Sequence, residues 1–215
     1  MAGRLTGMSA KPPSTRSDAV RNRKLLLDVA ARTFAERGVE VSIGEIAQRA
    51  GVGKGTVFRH FPTKEDLLAA IMLDLLDELI GAATGLLADD DPVRALRAFM
   101  TAGVEAFVRD RAFCDVIGRP SLQSQEVRDA IHRLCEVAEG LTARAREQGA
   151  VRPDVTGTDV ALMLSGIQHT AAPLLDADPQ AWRRYLELTF DGMTAVTGRP
   201  LPHPPGRLTL EENPS

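Results

Sequence analysis

Residues 42–61 read Ser42-Ile-Gly-Glu-Ile-Ala-Gln-Arg-Ala-Gly51-Val-Gly-Lys54-Gly-Thr-Val-Phe-Arg-His-Phe61, and Pro62 follows at once. Ser42 with Glu45 forms a capping-box pattern, in which each side chain satisfies a backbone donor at the start of a helix. That helix is short, because Gly51 follows Ala50. A second short helix covers Lys54–Phe61 and stops at Pro62. Gly51-Val52-Gly53 is then a turn of about three residues between two short helices, the helix-turn-helix arrangement. Ile46, Ala47, Val52 and Val57 are apolar where the two helices must pack. Thr56, Phe58, Arg59 and His60 mix polar, basic and aromatic groups on a helix too short to be mostly core. In this geometry the first helix braces and the second sends its N-terminal residues into a DNA major groove.

Working outward, Ser17 or Asp18 opens a helix with Leu27, Ala30, Ala31 and Phe34 on its apolar face, and Gly38 is placed to end it. Thr63 and Asp66 form another capping-box pattern at the head of a long helix faced by Leu68, Met72, Leu75 and Leu79, reaching about Leu87. Asp89-Asp-Asp-Pro92 starts the next, with Leu96, Met100, Gly103 and Phe107 on its face. Gly118 and Pro120 break the stretch 111–123 into one short helix and a loop. Val127, Ile131, Leu134, Ala138 and Leu141 define another long helix closing near Gly149. Val160, Met163, Ile167, Ala171 and Leu174 follow on a helix limited by Pro173. The last starts at Asp178-Pro179 and carries Trp182, Tyr185, Leu186, Phe190 and Met193. Strand alternation is almost absent. The expectation is an all-α chain of about nine helices: a disordered basic arm over 1–16, a three-helix DNA-binding domain over 17–62, a helical C-terminal domain over 63–198, and a disordered Pro-rich tail over 199–215.

The composition agrees. The 215 residues are 44% hydrophobic with net charge −3, which places the chain among globular proteins with a sizeable core. No apolar run approaches the ~18 residues of a membrane span, and the N-terminus has no apolar signal segment. Two cysteines make no disulfide framework, so a reducing, cytoplasmic setting is expected. The charge is uneven: residues 1–66 hold 12 Lys/Arg against 7 Asp/Glu, and the remainder holds 14 against 22. A basic first third suits an anionic partner at one end only. No HExxH, GxSxG, P-loop or dinucleotide fingerprint is present, which argues against an enzyme.

Phe34-Ala-Glu-Arg-Gly38, Ser42-Ile-Gly-Glu-Ile-Ala47 and Gly51-Val-Gly-Lys-Gly-Thr-Val-Phe-Arg-His-Phe-Pro-Thr-Lys-Glu-Asp-Leu-Leu68 closely resemble the tetracycline-repressor (TetR) type of bacterial transcriptional regulators. The likeness covers about Asp18–Leu68. It implies a recognition helix on Lys54–Phe61, with Lys54, Gly55 and Thr56 nearest base edges or phosphate. Phe58 and His60 would face the DNA backbone, and Lys64 would contact phosphate. Ser42, Arg21, Arg23 and Lys24 complete the expected DNA-binding set, and Arg59 is long enough for a phosphate or a guanine. Two positions depart from the pattern. Phe58 stands where Tyr is commonest, which removes a hydroxyl bond to phosphate. Gly44 stands where some relatives place a guanine-reading arginine.

The resemblance also implies that residues after about 70 bind a small molecule and hold a homodimer. Two heads about one helical turn apart would read a palindromic operator, as a repressor released by a small, largely apolar effector. Candidate effector contacts are Phe99, Met100, Phe107, Leu134, Cys135, Met163, Gln168 and His169; the last two are polar groups amid apolar ones that need a partner. The candidate dimer seam comprises Met163, Ile167, Ala171, Leu174, Trp182, Tyr185, Leu186 and Phe190. His132 and Cys135, with Cys114 and His169, are the alternative of a metal-responsive regulator. A DNA-bound architectural protein without a ligand is the other. No cofactor and no membrane partner are expected.

Overall fold

The computed structural model describes residues 16–109, 124–194 and 199–206, with side chains from residue 21 onward. Among them are eight α-helices and no strand: α1 Arg16–Arg37, α2 Ile43–Arg49, α3 Lys54–His60, α4 Lys64–Leu86, α5 Pro92–Arg109, α6 Gln125–Glu147, α7 Gly157–Ala171 and α8 Trp182–Thr194, with a 3₁₀ turn over Ala172–Leu174. The short helix expected within 111–123, most of the N-terminal arm and the tail from 207 lie outside the described residues.

The helix ends fall where local chemistry puts them. Gly38, Gly51 and Gly149 all have φ between +67° and +80°, the left-handed conformation that stops a helix and that other residues adopt at a cost. At the head of α4 the capping box is complete: the Thr63 hydroxyl accepts from the Asp66 N–H at 3.0 Å, and the Asp66 carboxylate accepts from the Thr63 N–H at 3.0 Å. At Ser42 only half of the expected box forms. Its hydroxyl accepts from the Glu45 N–H, but the Glu45 carboxylate pairs with Arg37 on α1 instead. Asp91 caps α5 by accepting from the N–H groups of Val93 and Arg94 at 3.1 and 3.0 Å, ahead of Pro92. The last helix begins at Trp182 rather than Asp178. Asp178 accepts from the Gln180 N–H at 2.9 Å, which holds 178–181 as a turn.

α1, α2 and α3 pack around Phe34, Ile46, Val57 and Phe61, all at most 2% exposed. α4 lies against α1 on one side and against α5 and α6 on the other. Leu67, Ile71 and Leu76 are therefore buried along with the expected Leu68, Met72, Leu75 and Leu79, giving a wider apolar band than a one-sided stripe. α5, α6 and α7 pack on one another, and α8 closes over α5 and α7. Between α6 and α7 the backbones nearly touch. A Cβ on Gly157 would stand 2.8 Å from the Ala138 carbonyl carbon and closer still to the Glu139 backbone, so only glycine fits. Glu139, half-buried on α6, accepts from the Gly157 N–H at 2.5 Å and pairs with Arg146 at 2.6 Å. No helix among the described residues is long and apolar enough to cross a membrane.

Candidate nucleic-acid interface

α3 is seven residues long and turns only Val57 fully inward. Lys54, Gly55, Phe58 and Arg59 are exposed, Phe58 at 46%, and Thr56 and His60 are half-buried. An exposed phenyl ring among cations on a helix held by its neighbours is a surface made for contact. α2 lies across α3 as its brace, and Val52 packs on the shared core. Gly53, the residue before α3, makes no side-chain cap bond. Ser42 is exposed, with its hydroxyl committed to the α2 cap.

The ion pairs sort the cations into two groups. Arg37 pairs with Glu45, and Arg49 pairs with Glu36 at 2.6 Å, so both arginines tie α1 to α2. The Arg49 guanidinium, bonded to the Glu36 carboxylate, holds that carboxyl below its usual value. Lys24 lies 3.5 Å from Asp74 of α4, in a cleft of about 340 Å³ shared with Leu27, Asp28, Arg32 and Arg109. Lys54, Arg59 and Lys64 pair with no carboxylate among the described residues. Arg23 lies over the Phe61 ring, 5.2 Å from its centroid, and shares with His60 and Pro62 a cleft of about 560 Å³ that reaches the start of α6. The structure thus gathers Lys54, Gly55, Thr56, Phe58, Arg59 and His60 on one short helix, with Lys64 one turn on and Arg23 beside His60. Lys24 is engaged with α4, and Arg21 is exposed on α1. Arg37 and Arg49, which fix the brace, carry no periodic signal in the sequence, because their partners lie 8 and 13 residues away.

The family model for bacterial regulatory proteins of the tetR family matches residues 26–71, and that for SbtR-like transcriptional regulator C-terminal domains matches 91–195. The structure resembles the TetR transcriptional regulator SCO0520 of Streptomyces coelicolor, with TM-score 0.61 and 31% identity over 80% of this chain and 98% of that one. The TetR transcription regulatory protein of Mycobacterium vanbaalenii gives 0.61 and 33% over 84% and 99%. The chain belongs to the tetR family. The HTH-type transcriptional repressor KstR2 of Mycolicibacterium smegmatis is 28% identical over 206 residues, 86% of this chain and 97% of its own. As a tetR-family member the protein is a DNA-binding transcriptional regulator and not an enzyme.

The residues expected to contact an effector do not form one group. Phe99, Met100, Phe107 and Leu134 are buried in the packed core. Met163 and His169 lie on the outer face of α7: Met163 is 44% exposed, and the His169 Nδ1 is 3.0 Å from the Ser165 carbonyl oxygen. Cys135 is half-buried. Burial, helped by the Glu136 charge, pushes its thiol up and keeps it protonated, which disfavours metal binding. His132 is exposed, Cys114 lies outside the described residues, and no group of three or more His, Cys, Asp or Glu among the described residues is placed to hold a metal. Gln168 is different. Three polar side chains among the described residues are buried, and two of them are satisfied locally: the Thr33 and Thr142 hydroxyls each donate to the carbonyl four residues back at 2.7 Å. The Gln168 Oε1, on a residue 4% exposed, has no partner. A buried acceptor left unpaired costs about 1–3 kcal/mol.

The expected dimer seam is also divided. Trp182, Leu186, Phe190, Ile167 and Ala171 turn inward within the protomer, Trp182 at 1% exposed. The guanidinium of Arg97 on α5 sits 4.3 Å from the Phe190 ring centroid and pairs with Glu187, locking α5 to α8. Of the expected seam, Met163 on α7 and Leu174 in the 3₁₀ turn face outward, and they are joined there by Leu162 and Leu188, all more than 40% exposed. Between the two helices runs a groove of about 300 Å³ lined by Met163, Gly166, Thr170, Tyr185 and Leu188. Periodicity identifies Trp182, Tyr185, Leu186 and Phe190 as the apolar face of α8 but does not say whether the same protomer or a partner covers it.

Proposed function

We propose that the protein is a cytoplasmic transcriptional repressor that binds a palindromic operator as a homodimer and is released by a small, largely apolar effector. The observation that carries the DNA reading is the exposed face of α3, where Phe58 is solvent-exposed and Lys54 and Arg59 pair with no carboxylate among the described residues. The naming of a full-length relative as a repressor supports the sign of regulation. The apolar outer face of α7 and α8, with Met163, Tyr185 and Leu188, and the exposed Leu174 in the turn after α7 support the homodimer, because apolar side chains left exposed together want a covering surface. The inward part of the expected seam, Trp182, Leu186 and Phe190, backs that face.

The effector reading rests on Gln168, whose unpaired buried oxygen would accept a bond from a hydroxyl or N–H of an otherwise apolar molecule among core residues. Entry there must move packed helices. α4 touches both the reading head and α5 and α6, so it transmits that displacement to the spacing of the two heads. An effector achieves release only by binding one spacing better than the other. Selection of bound duplexes from a random pool tests the reading. A palindrome with half-sites about one helical turn apart is expected; sequences without symmetry would overturn the dimeric reader. Leu188→Asp should halve the sedimenting mass while leaving helicity intact, and an unchanged mass would remove the α7–α8 face from the seam.

A further inference from the structure

Gly44 lies in the first turn of α2, and the side chain of Lys54, from the first residue of α3, lies directly over it. The Lys54 Nζ is 2.9 Å from where a Cβ on Gly44 would stand, the Cε is closer still, and the Cδ is 3.6 Å away. The lysine stem therefore occupies the space that any side chain at position 44 would fill. Glu45, the nearest carboxylate along the chain, is held away by Arg37, and Lys54 has no ion-pair partner among the described residues. The bracing helix thus presents no reading side chain of its own at position 44, and an unneutralised ammonium from the neighbouring helix sits there instead.

We propose that Lys54, laid across Gly44, is a base reader that specifies a guanine in each half-site, and that Gly44 is its positioning residue. This rests on the DNA-binding reading above. An ammonium at the junction of a brace and a recognition helix lies at the groove-facing end of the unit, and the guanine O6 and N7 acceptors are the major-groove edge that a lysine recognises. A stem resting on bare backbone has fewer conformations to give up on binding than a free lysine, so the contact is partly preorganised. A lysine that only neutralised phosphate would need no such seat.

The test uses the full-length protein, random-pool selection and per-position mismatch scanning of the selected operator. Wild type enriches a palindrome with a G·C pair at one symmetric position of each half-site. Lys54→Met keeps the stem and removes the charge; discrimination at that position falls by about 5- to 150-fold while the other positions keep their preferences. Gly44→Ala flattens the same position in part. It leaves thermal stability unchanged or raised, because alanine suits a helix and the displaced atoms are the free end of a side chain. In the Lys54→Met background, Gly44→Ala has no further effect on discrimination, which is the signature of a coupled pair. A uniform loss of affinity across all sequences on Lys54→Met, with the motif unchanged, would make the lysine a phosphate contact and overturn the proposal alone. A Gly44→Ala protein that retains the full preference would remove Gly44 from it. Failure of wild type to select any motif at low salt would bring down the DNA reading itself, and this assignment with it.

Discussion

α3 buries one of its seven residues, and α5 buries nine of its eighteen. The two helices stand for the two halves of the molecule. In the reading head the fold is held by α1, α2 and α4, through Phe34, Ile46 and Leu67, and α3 is carried on that frame by Val57 and its C-cap residue Phe61. Its outward side chains are free to be chosen for a partner. In the regulatory half the inward faces of the helices are packed throughout, Leu162, Met163, Leu174 and Leu188 staying outside, and even a charged group is drafted into packing: Arg144 donates to the carbonyls of Leu87 and Asp89 at 2.6 and 2.5 Å, just past the end of α4. Substitutions in the first region should alter recognition and spare stability, and those in the second should do the reverse.

The largest effect belongs to Trp182→Ala. The ring is 1% exposed, so its removal leaves a cavity and should cost about 3–5 kcal/mol. For a chain of this size that corresponds to a drop in melting temperature of roughly 6–20 °C, read by far-ultraviolet circular dichroism. A dimer that falls apart at an unchanged melting temperature would instead return Trp182 to the seam.

Gly157→Ala comes next and sharpens the contrast with Gly44. At Gly157 the added carbon meets the α6 backbone, which cannot rotate away, whereas at Gly44 it meets the end of a lysine. The first substitution should cost about 1–3 kcal/mol by forcing α6 and α7 apart, and the second should be silent in a melt. Equal melting temperatures for the two variants would show that the α6–α7 contact yields easily.

In the head, Arg59→Ala and Lys64→Ala should leave stability within about 0.5 kcal/mol of wild type. Each should lower operator affinity and reduce the slope of log affinity against log salt by about 0.9 for every phosphate that is no longer neutralised. Unchanged affinity in both would separate α3 and the start of α4 from the DNA.

The difference between the halves also decides what can be read before folding. The head is legible because its signals are local: Gly38, Gly51, the Thr63–Asp66 box and Pro62 each act within four residues. The regulatory half is legible as helices and hardly further. Whether α8 shows Trp182 or Leu188 to the outside depends on where α5 and α7 lie, and Arg97 reaches Glu187 across 90 residues. Gln168 is recognisable as a polar residue on an apolar face, but its lack of a partner is a property of the packed neighbours. In the head, too, the signals fail where contact is nonlocal. The Gly44 gap is visible as a departure from a pattern, yet its occupant, Lys54, is set by how α3 crosses α2.

The smallest expected effect lies at the far end of the regulatory half, where a partly buried ion pair does work that elsewhere falls to apolar packing. The Arg152 Nε and Nη2 donate to the two oxygens of Asp154 at 2.9 and 2.8 Å, and the Leu201 N–H donates to the same carboxylate at 2.9 Å. Arg152 also donates to the Arg199 carbonyl at 2.8 Å, and its own N–H donates to the Met193 carbonyl at 2.9 Å. Two residues thus pin the segment after α8 onto the α6–α7 connection. The Arg152 guanidinium, followed by the Leu201 N–H, holds the Asp154 carboxyl well below the usual carboxylate range. A carboxyl lowered in the folded state stabilises it above the unfolded value near 3.9, and that stabilisation is lost as pH falls through the folded value. The Asp154→Asn variant lacks this linkage. Melting temperatures of the two proteins should differ at pH 7, with wild type higher, and the gap should close as pH drops below about 4. High salt should narrow the gap only slightly at neutral pH, because the two side chains are 12% and 28% exposed and a partly buried pair is screened less than a surface one. A gap that persists unchanged into acid would mean that the asparagine fails through lost hydrogen-bond geometry, and that the charge on Asp154 contributes nothing to holding the segment down.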